Sequence, residues 1–165
     1  MNHVCYGIAH VDAEVFVTSG TALYEYTMDG RLVKKLYEDS TGPDRVVGVG
    51  VSPDGKMIYV TDIVNGMLRT LTRDGTVTAT FQDPAFKHGW IIDNIHVAAT
   101  GQVFVFGDNS ISQVDTVGKT ILNTISVDIA NPASVYFNEE TRKLIVGFRS
   151  HYNINEYKTK TVPTF

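Results

Sequence analysis

Gly48-Val49-Gly50-Val51-Ser52-Pro53-Asp54-Gly55-Lys56-Met57-Ile58-Tyr59-Val60-Thr61-Asp62 carries the pattern that decides the fold. A short apolar segment runs into Ser52-Pro53-Asp54-Gly55, and a second apolar run follows. Pro presets φ and Gly accepts positive φ, so this tetrapeptide predicts a tight turn between two strands. The same order of features recurs on both sides. Its first segments are Gly7-Ile8-Ala9-His10-Val11, Gly48 to Ser52, Asn94-Ile95-His96-Val97-Ala98 and Ser134-Val135-Tyr136-Phe137-Asn138, whose starts lie 41, 46 and 40 residues apart. Each leads through a short turn into a strand-like run: Glu14 to Thr18, Met57 to Thr61, Val103 to Phe106 and Leu144 to Phe148.

A third run completes each copy: Ala22 to Tyr26, Met67 to Leu71, Ile111 to Asp115 and Ile154 to Tyr157. Met28-Asp29-Gly30-Arg31, Arg73-Asp74-Gly75-Thr76 and Val117-Gly118-Lys119 then predict hairpin turns, because Gly takes the positive-φ position. A fourth strand follows three times, over Leu32 to Glu38, Val77 to Gln82 and Thr120 to Val127. Four antiparallel strands in a unit of this length are the mark of a β-propeller blade. A plain β-sandwich would need this spacing to arise by coincidence.

The fold class is therefore all-β, a β-propeller of about three and three-quarter four-stranded blades in one domain spanning 1–165. The blades are expected at about 7–45, 46–90, 91–133 and 134–165, the last cut short after Tyr157. The expectation is that they form part of a larger, six-bladed ring; a four-blade ring or a dimer is the other way to close the fold. Composition agrees: 21 Val, 12 Ile and 18 Thr stand against 9 Ala and 7 Leu, a bias toward strand.

Charge narrows the function classes. With 14 Lys+Arg against 18 Asp+Glu the formal net charge is −4, which suits neither DNA nor nonspecific nucleic-acid binding. The single Cys, Cys5, cannot form an intrachain disulfide. No apolar run approaches the length of a membrane span, and Met1 to Tyr6 lacks the basic start and apolar core of a signal peptide. These features predict a cytoplasmic protein.

The repeats resemble a known family. Gly48 to Asp62, with Asn65-Gly66-Met67-Leu68-Arg69-Thr70-Leu71-Thr72-Arg73-Asp74-Gly75-Thr76, looks like an NHL-type propeller repeat. Leu144 to Tyr157 is similar to the terminal blade of NHL-like propellers in invertebrate tripartite-motif proteins. The resemblance covers about Gly7 to Tyr157. It implies a scaffold that selects a partner, protein or sometimes RNA, for a ubiquitin ligase whose zinc modules lie elsewhere. Such a repeat specifies fold far better than function.

Enzymatic motifs are missing. Gly50-Val51-Ser52-Pro53-Asp54 does not complete a Gly-x-Ser-x-Gly elbow. The five histidines show no metal-binding spacing, although His10 and His96 fall on the first and third inner strands and are expected to face a channel. The alternative is a metal-dependent lactonase or gluconolactonase-type propeller. Asp93 and Asn94 are its weak metal candidates, and Val47 stands where such enzymes carry Asn. The preferred expectation is a non-enzymatic module with no cofactor, binding a protein; a small-molecule ligand is disfavoured. An RNA-binding propeller is a further alternative, weakened because basic residues are dispersed among acidic ones.

Candidate contacts are His88 and Trp90 on the loop between the second and third units, and Asn109, Arg149, His151 and Tyr152 on loops between second and third strands. Trp, Tyr and Arg anchor interfaces, and loops on a rigid scaffold carry recognition. By repeat logic the second-to-third-strand loops share one face of the ring.

Overall fold

The computed structural model describes residues 4–42, 46–62, 64–86, 95–107, 109–149 and 151–159. Blade 1 is the sheet β1 (Ile8–Val11), β2 (Glu14–Ser19), β3 (Ala22–Thr27) and β4 (Leu32–Glu38). Blade 2 is β5 (Val49–Val51), β6 (Met57–Asp62), β7 (Met67–Thr72) and β8 (Val77–Gln82), followed by a 3-10 turn at Pro84–Phe86. Blade 3 is β9 (Ile95–Val97), β10 (Val103–Phe106), β11 (Ser110–Val114) and β12 (Ile121–Ser126). Blade 4 has three strands among the described residues, β13 (Pro132–Asn138), β14 (Lys143–Phe148) and β15 (Ile154–Lys158). Each sheet is an antiparallel meander in chain order. The all-β propeller expectation holds.

Register shows that the repeats are equivalent residue by residue. Ala9 pairs with Phe16, Gly50 with Tyr59, His96 with Phe104 and Tyr136 with Ile145. Side chains alternate across a strand, so these pairs lie on one face of each blade, the trailing face, which meets the next blade. The leading face carries Val49, Ile58 and Val60 in blade 2, and they pack on Phe16, Leu23 and Leu36 of blade 1. Tyr59 and Leu68 meet Val103, Val105 and Val114 of blade 3 in the same way. Phe104, Phe106 and Ile111 then meet Phe137, Leu144 and Val146 of blade 4. Phe16, Tyr59 and Phe104 are almost wholly buried. Each such burial contributes about 1.5–3 kcal/mol.

Polar ties reinforce these interfaces. The Thr18 hydroxyl accepts from the Gly7 N–H at 2.8 Å and donates to the Val47 carbonyl of blade 2. Thr61 repeats the first half of this arrangement, accepting from Gly48 N–H at 2.9 Å. Arg69 of blade 2 bridges Asp62 at 3.3 Å and Asp39, just past β4 of blade 1, at 3.0 Å. The Arg69 guanidinium also lies 5.8 Å from the Tyr37 ring centre.

The hairpins between third and fourth strands dock backwards. Arg73 of blade 2 lies 4.3 Å from the Phe16 ring centre of blade 1 and pairs with Glu14. Thr116 of blade 3 accepts the Tyr59 hydroxyl of blade 2 at 2.7 Å. Gly75 has φ +94°, and a Cβ there would overlap the Leu36 carbonyl of blade 1. Glycine is required at this position both for backbone conformation and for close approach.

Candidate functional site

The inner strands β1, β5, β9 and β13 follow one another around an axis, and at their C-terminal ends they surround a cavity of about 790 Å³. The turns after these strands form its mouth. Asp12 comes from blade 1, Ser52 and Pro53 from blade 2, Ala99 from blade 3, and Glu139 and Glu140 from blade 4. His10, His96 and Tyr136 line the wall.

Local structure fixes these groups. Asp12 has φ +52°, at the tight β1–β2 turn. Ser52 closes its own turn, donating to Asp54 at 2.6 Å and accepting from Met57 N–H at 2.9 Å. The Ser52 hydroxyl bond holds the Asp54 carboxyl down at about 2. This hydroxyl is committed to a turn, as the sequence implies. Glu139 accepts from Thr100 N–H at 2.8 Å, tying blade 4 to the first turn of blade 3.

His96 is the most constrained wall residue. Its ring lies 6.2 Å from Phe104 and 6.0 Å from Tyr136, edge-on to the latter. Nε2 accepts the Phe137 N–H at 3.3 Å. A nitrogen that accepts carries no proton, so the ring is neutral and its proton sits on Nδ1. Burial pushes its pKa below the ordinary histidine value. His10, exposed on blade 1, lies on the leading face, whereas His96 lies on the trailing face. Both reach the cavity, as expected, but from opposite sides of their sheets.

The lining contains three carboxylates, and among the described lining residues there is no Lys or Arg. Tyr136, 58% exposed, adds an open aromatic face. The mouth is thus acidic and aromatic, suited to a cationic group.

The residues expected from sequence lie elsewhere. Asn109, Arg149, His151 and Tyr152 sit at the opposite ends of the strands, where second strands pass to third, and all four are exposed. Asn109 gives its carbonyl to Val127 N–H at 3.0 Å, and Arg149 N–H donates to Asn131 at 3.2 Å. These loops do share one face, as repeat logic requires, and that face is the one away from the cavity. His88, Trp90, Asp93 and Asn94 lie outside the described residues. Val47 is buried, its carbonyl held by Thr18. Among the described residues no three His, Cys, Asp or Glu side chains gather as a metal site would require, and no helix is long and apolar enough to cross a membrane. Sequence reading missed Asp12, Glu139 and Glu140 as site residues. The available signal was an acidic residue recurring in the turn after the first strand.

Comparison with solved structures places the fold among propellers. The chain is similar to Kuenenia stuttgartiensis hydrazine synthase, with TM-score 0.75 and 12% identity, over 93% of this chain and 46% of that one. It is similar to a streptogramin B lyase, with TM-score 0.63 and 18% identity, over 94% of this chain and 54% of that one. It also matches the computationally designed Ika4 protein, with TM-score 0.71 and 8% identity, over 97% of this chain and 94% of that one. The chain therefore spans about half of the hydrazine synthase and lyase chains. No family model matches it, and no curated protein matches it by sequence. At these identities the likeness defines an all-β propeller and nothing narrower.

Proposed function

We propose that this chain is a non-enzymatic interaction scaffold that recognises a protein partner, engaging a basic segment at the mouth of its central cavity. The observation that carries this reading is the lining itself: Asp12, Glu139 and Glu140 beside the open ring of Tyr136, with no cationic side chain among the described lining residues. Carboxylates and an aromatic face attract Lys and Arg side chains. The same carboxylates repel phosphate, which disfavours RNA at this mouth.

The sequence likeness to NHL repeats extends the reading. On that basis the scaffold is the substrate-recognition end of a tripartite-motif ubiquitin ligase, with ligase chemistry outside this chain. Fluorescence anisotropy with a labelled lysine- and arginine-rich peptide tests the binding mode. Saturable binding is expected, weakened at least tenfold by Glu139→Gln with Glu140→Gln and unaffected by Arg149→Ala on the far face. Absence of binding, or binding indifferent to the two glutamates, overturns the cavity as the recognition site. Turnover of a lactone by the purified chain overturns the non-enzymatic reading.

A further inference from the structure

We propose that the partner's basic segment carries an apolar side chain close to its lysines or arginines, and that a groove between blades 2 and 3 receives it. This deepens the reading of the central cavity as the seat of that segment and rests on it. The groove has a volume of about 380 Å³. Ser52, Pro53 and Ala99 line both it and the cavity, so the two concavities share a rim. Met57 on β6 and Thr116 and Val117 on the β11–β12 hairpin line the groove alone.

A departure from the repeat creates this space. At the junction of blades 1 and 2 the Arg73 guanidinium lies over Phe16 and pairs with Glu14. Counted back from the hairpin glycines Gly75 and Gly118, Thr116 stands where Arg73 does, and Val117 where Asp74 does. Thr116 has no long side chain to lay over blade 2; its carbonyl accepts the Tyr59 hydroxyl at 2.7 Å instead.

Val117 is the sharper departure. In blades 1 and 2 its position holds Asp29 or Asp74, and the carboxylate closes the hairpin. Asp29 accepts the Thr27 hydroxyl, and Asp74 accepts the Thr72 hydroxyl at 2.6 Å and the Thr76 N–H at 3.1 Å. In blade 3 Asp115 takes over this duty, accepting from Lys119 N–H at 2.8 Å and Thr120 N–H at 3.3 Å. The position is thereby released from turn closure, and it carries an apolar side chain that is 47% exposed. Val117 gives the groove an apolar lip, as ligand-binding concavities have.

Charge selects the occupant. The adjoining cavity presents Asp12, Glu139 and Glu140 and, among its described lining residues, no Lys or Arg. The carboxylate that lines the groove, Asp54, is already paired with Lys56 at 3.3 Å. Cations are therefore drawn to the cavity and an apolar group to the groove. A segment held in the cavity by its cations passes over the shared rim at about 3.3–3.6 Å per extended residue. A neighbouring apolar side chain then reaches the groove. The two subsites are joined, because Thr100 N–H, in the turn beside the rim, donates to Glu139 at 2.8 Å. An apolar anchor seated in a pocket next to complementary charge gives a short segment both affinity and register.

Fluorescence anisotropy with two lysine- and arginine-rich peptides, identical except for Leu or Ser beside the basic run, tests the assignment. The Leu peptide should bind about fivefold or more tightly than the Ser peptide. Val117→Asn should remove most of that difference and leave the Ser peptide's affinity unchanged. Photo-leucine in place of the Leu should cross-link to Met57 or Val117. Asp12→Asn with Glu140→Gln, which keeps the Glu139–Thr100 bond, should weaken both peptides. Equal binding of the two peptides, both weakened by the carboxamide variant, overturns the groove and leaves the cavity reading standing. Binding of neither peptide overturns both. A Leu advantage that survives Val117→Asn, or cross-links that fall away from the groove, overturns the assignment by placing the apolar contact elsewhere. Indifference of the Leu peptide to the carboxamide variant overturns the pairing of the two subsites.

Discussion

The Phe137 N–H donates to Nε2 of His96 across 3.3 Å, so a side chain of blade 3 holds the first strand of blade 4. The same ring lies against Phe104 and Tyr136. One imidazole therefore serves a blade interface and the wall of the central cavity together.

This contact gives the fold a pH dependence. Burial lowers the folded-state pKa of His96 below the ordinary value near 6.5. The unfolded chain then binds the proton more readily, so stability rises with pH. The contribution is complete above about 6.5 and is lost as pH falls toward the lower folded value. Melting temperature measured from pH 7.5 down to 5 should fall more steeply for the native chain than for His96→Phe. Parallel curves would remove His96 as the cause.

Arg69 should be the costliest polar residue to remove. It is 13% exposed and neutralises Asp39 and Asp62, both buried. Arg69→Met removes a cation shared by two buried carboxylates, a change that costs about 3–5 kcal/mol. Urea denaturation measures it directly, and a loss under about 1 kcal/mol would show that the carboxylates rely on other partners.

Two glycines of like backbone separate conformational strain from close packing. Gly75 at φ +94° and Gly101 at φ +84° both sit in the left-handed region. Alanine costs each roughly 1–2 kcal/mol on that account. Only at Gly75 would the new Cβ overlap a backbone carbonyl of the preceding blade; at Gly101 the nearest atom is the Thr116 methyl at 3.4 Å. Gly75→Ala should therefore be the more damaging by more than about 1 kcal/mol, and equal losses in denaturant would contradict the docking of that hairpin.

Tyr59 should ionise late. Burial, with Asp54 and Asp115 adding to it, pushes its phenol up to about 12. Alkaline difference absorbance should show a late-ionising tyrosine that is missing in Tyr59→Phe. The same variant loses the bond to Thr116 and about 0.5–1.5 kcal/mol of stability.

The architecture was legible because each blade repeats one local grammar. Period-2 runs such as Met57–Asp62, punctuated by Asp-Gly turns, are fixed by neighbours in sequence, and the repeat supplies the long-range arrangement. The cavity was not legible in the same way. Asp12, Glu139 and Glu140 read locally as turn residues, and their convergence depends on four turns spread over more than a hundred residues of chain closing around one axis. The loops around Asn109 and Arg149 drew attention through residue type, which says nothing about which end of the strands is concave.

Thr18 ties its own blade's first segment at Gly7 and, through Val47, the start of the next blade. The bond to Val47 runs between adjacent units, and Thr61 stands at the recurring position in blade 2, where it holds Gly48. The wiring is therefore modular: gain or loss of one period by duplication or deletion leaves the remaining junctions chemically intact. A gene encoding such an arc changes its size in whole blades, and the number of blades can drift in evolution while the junction residues stay in place.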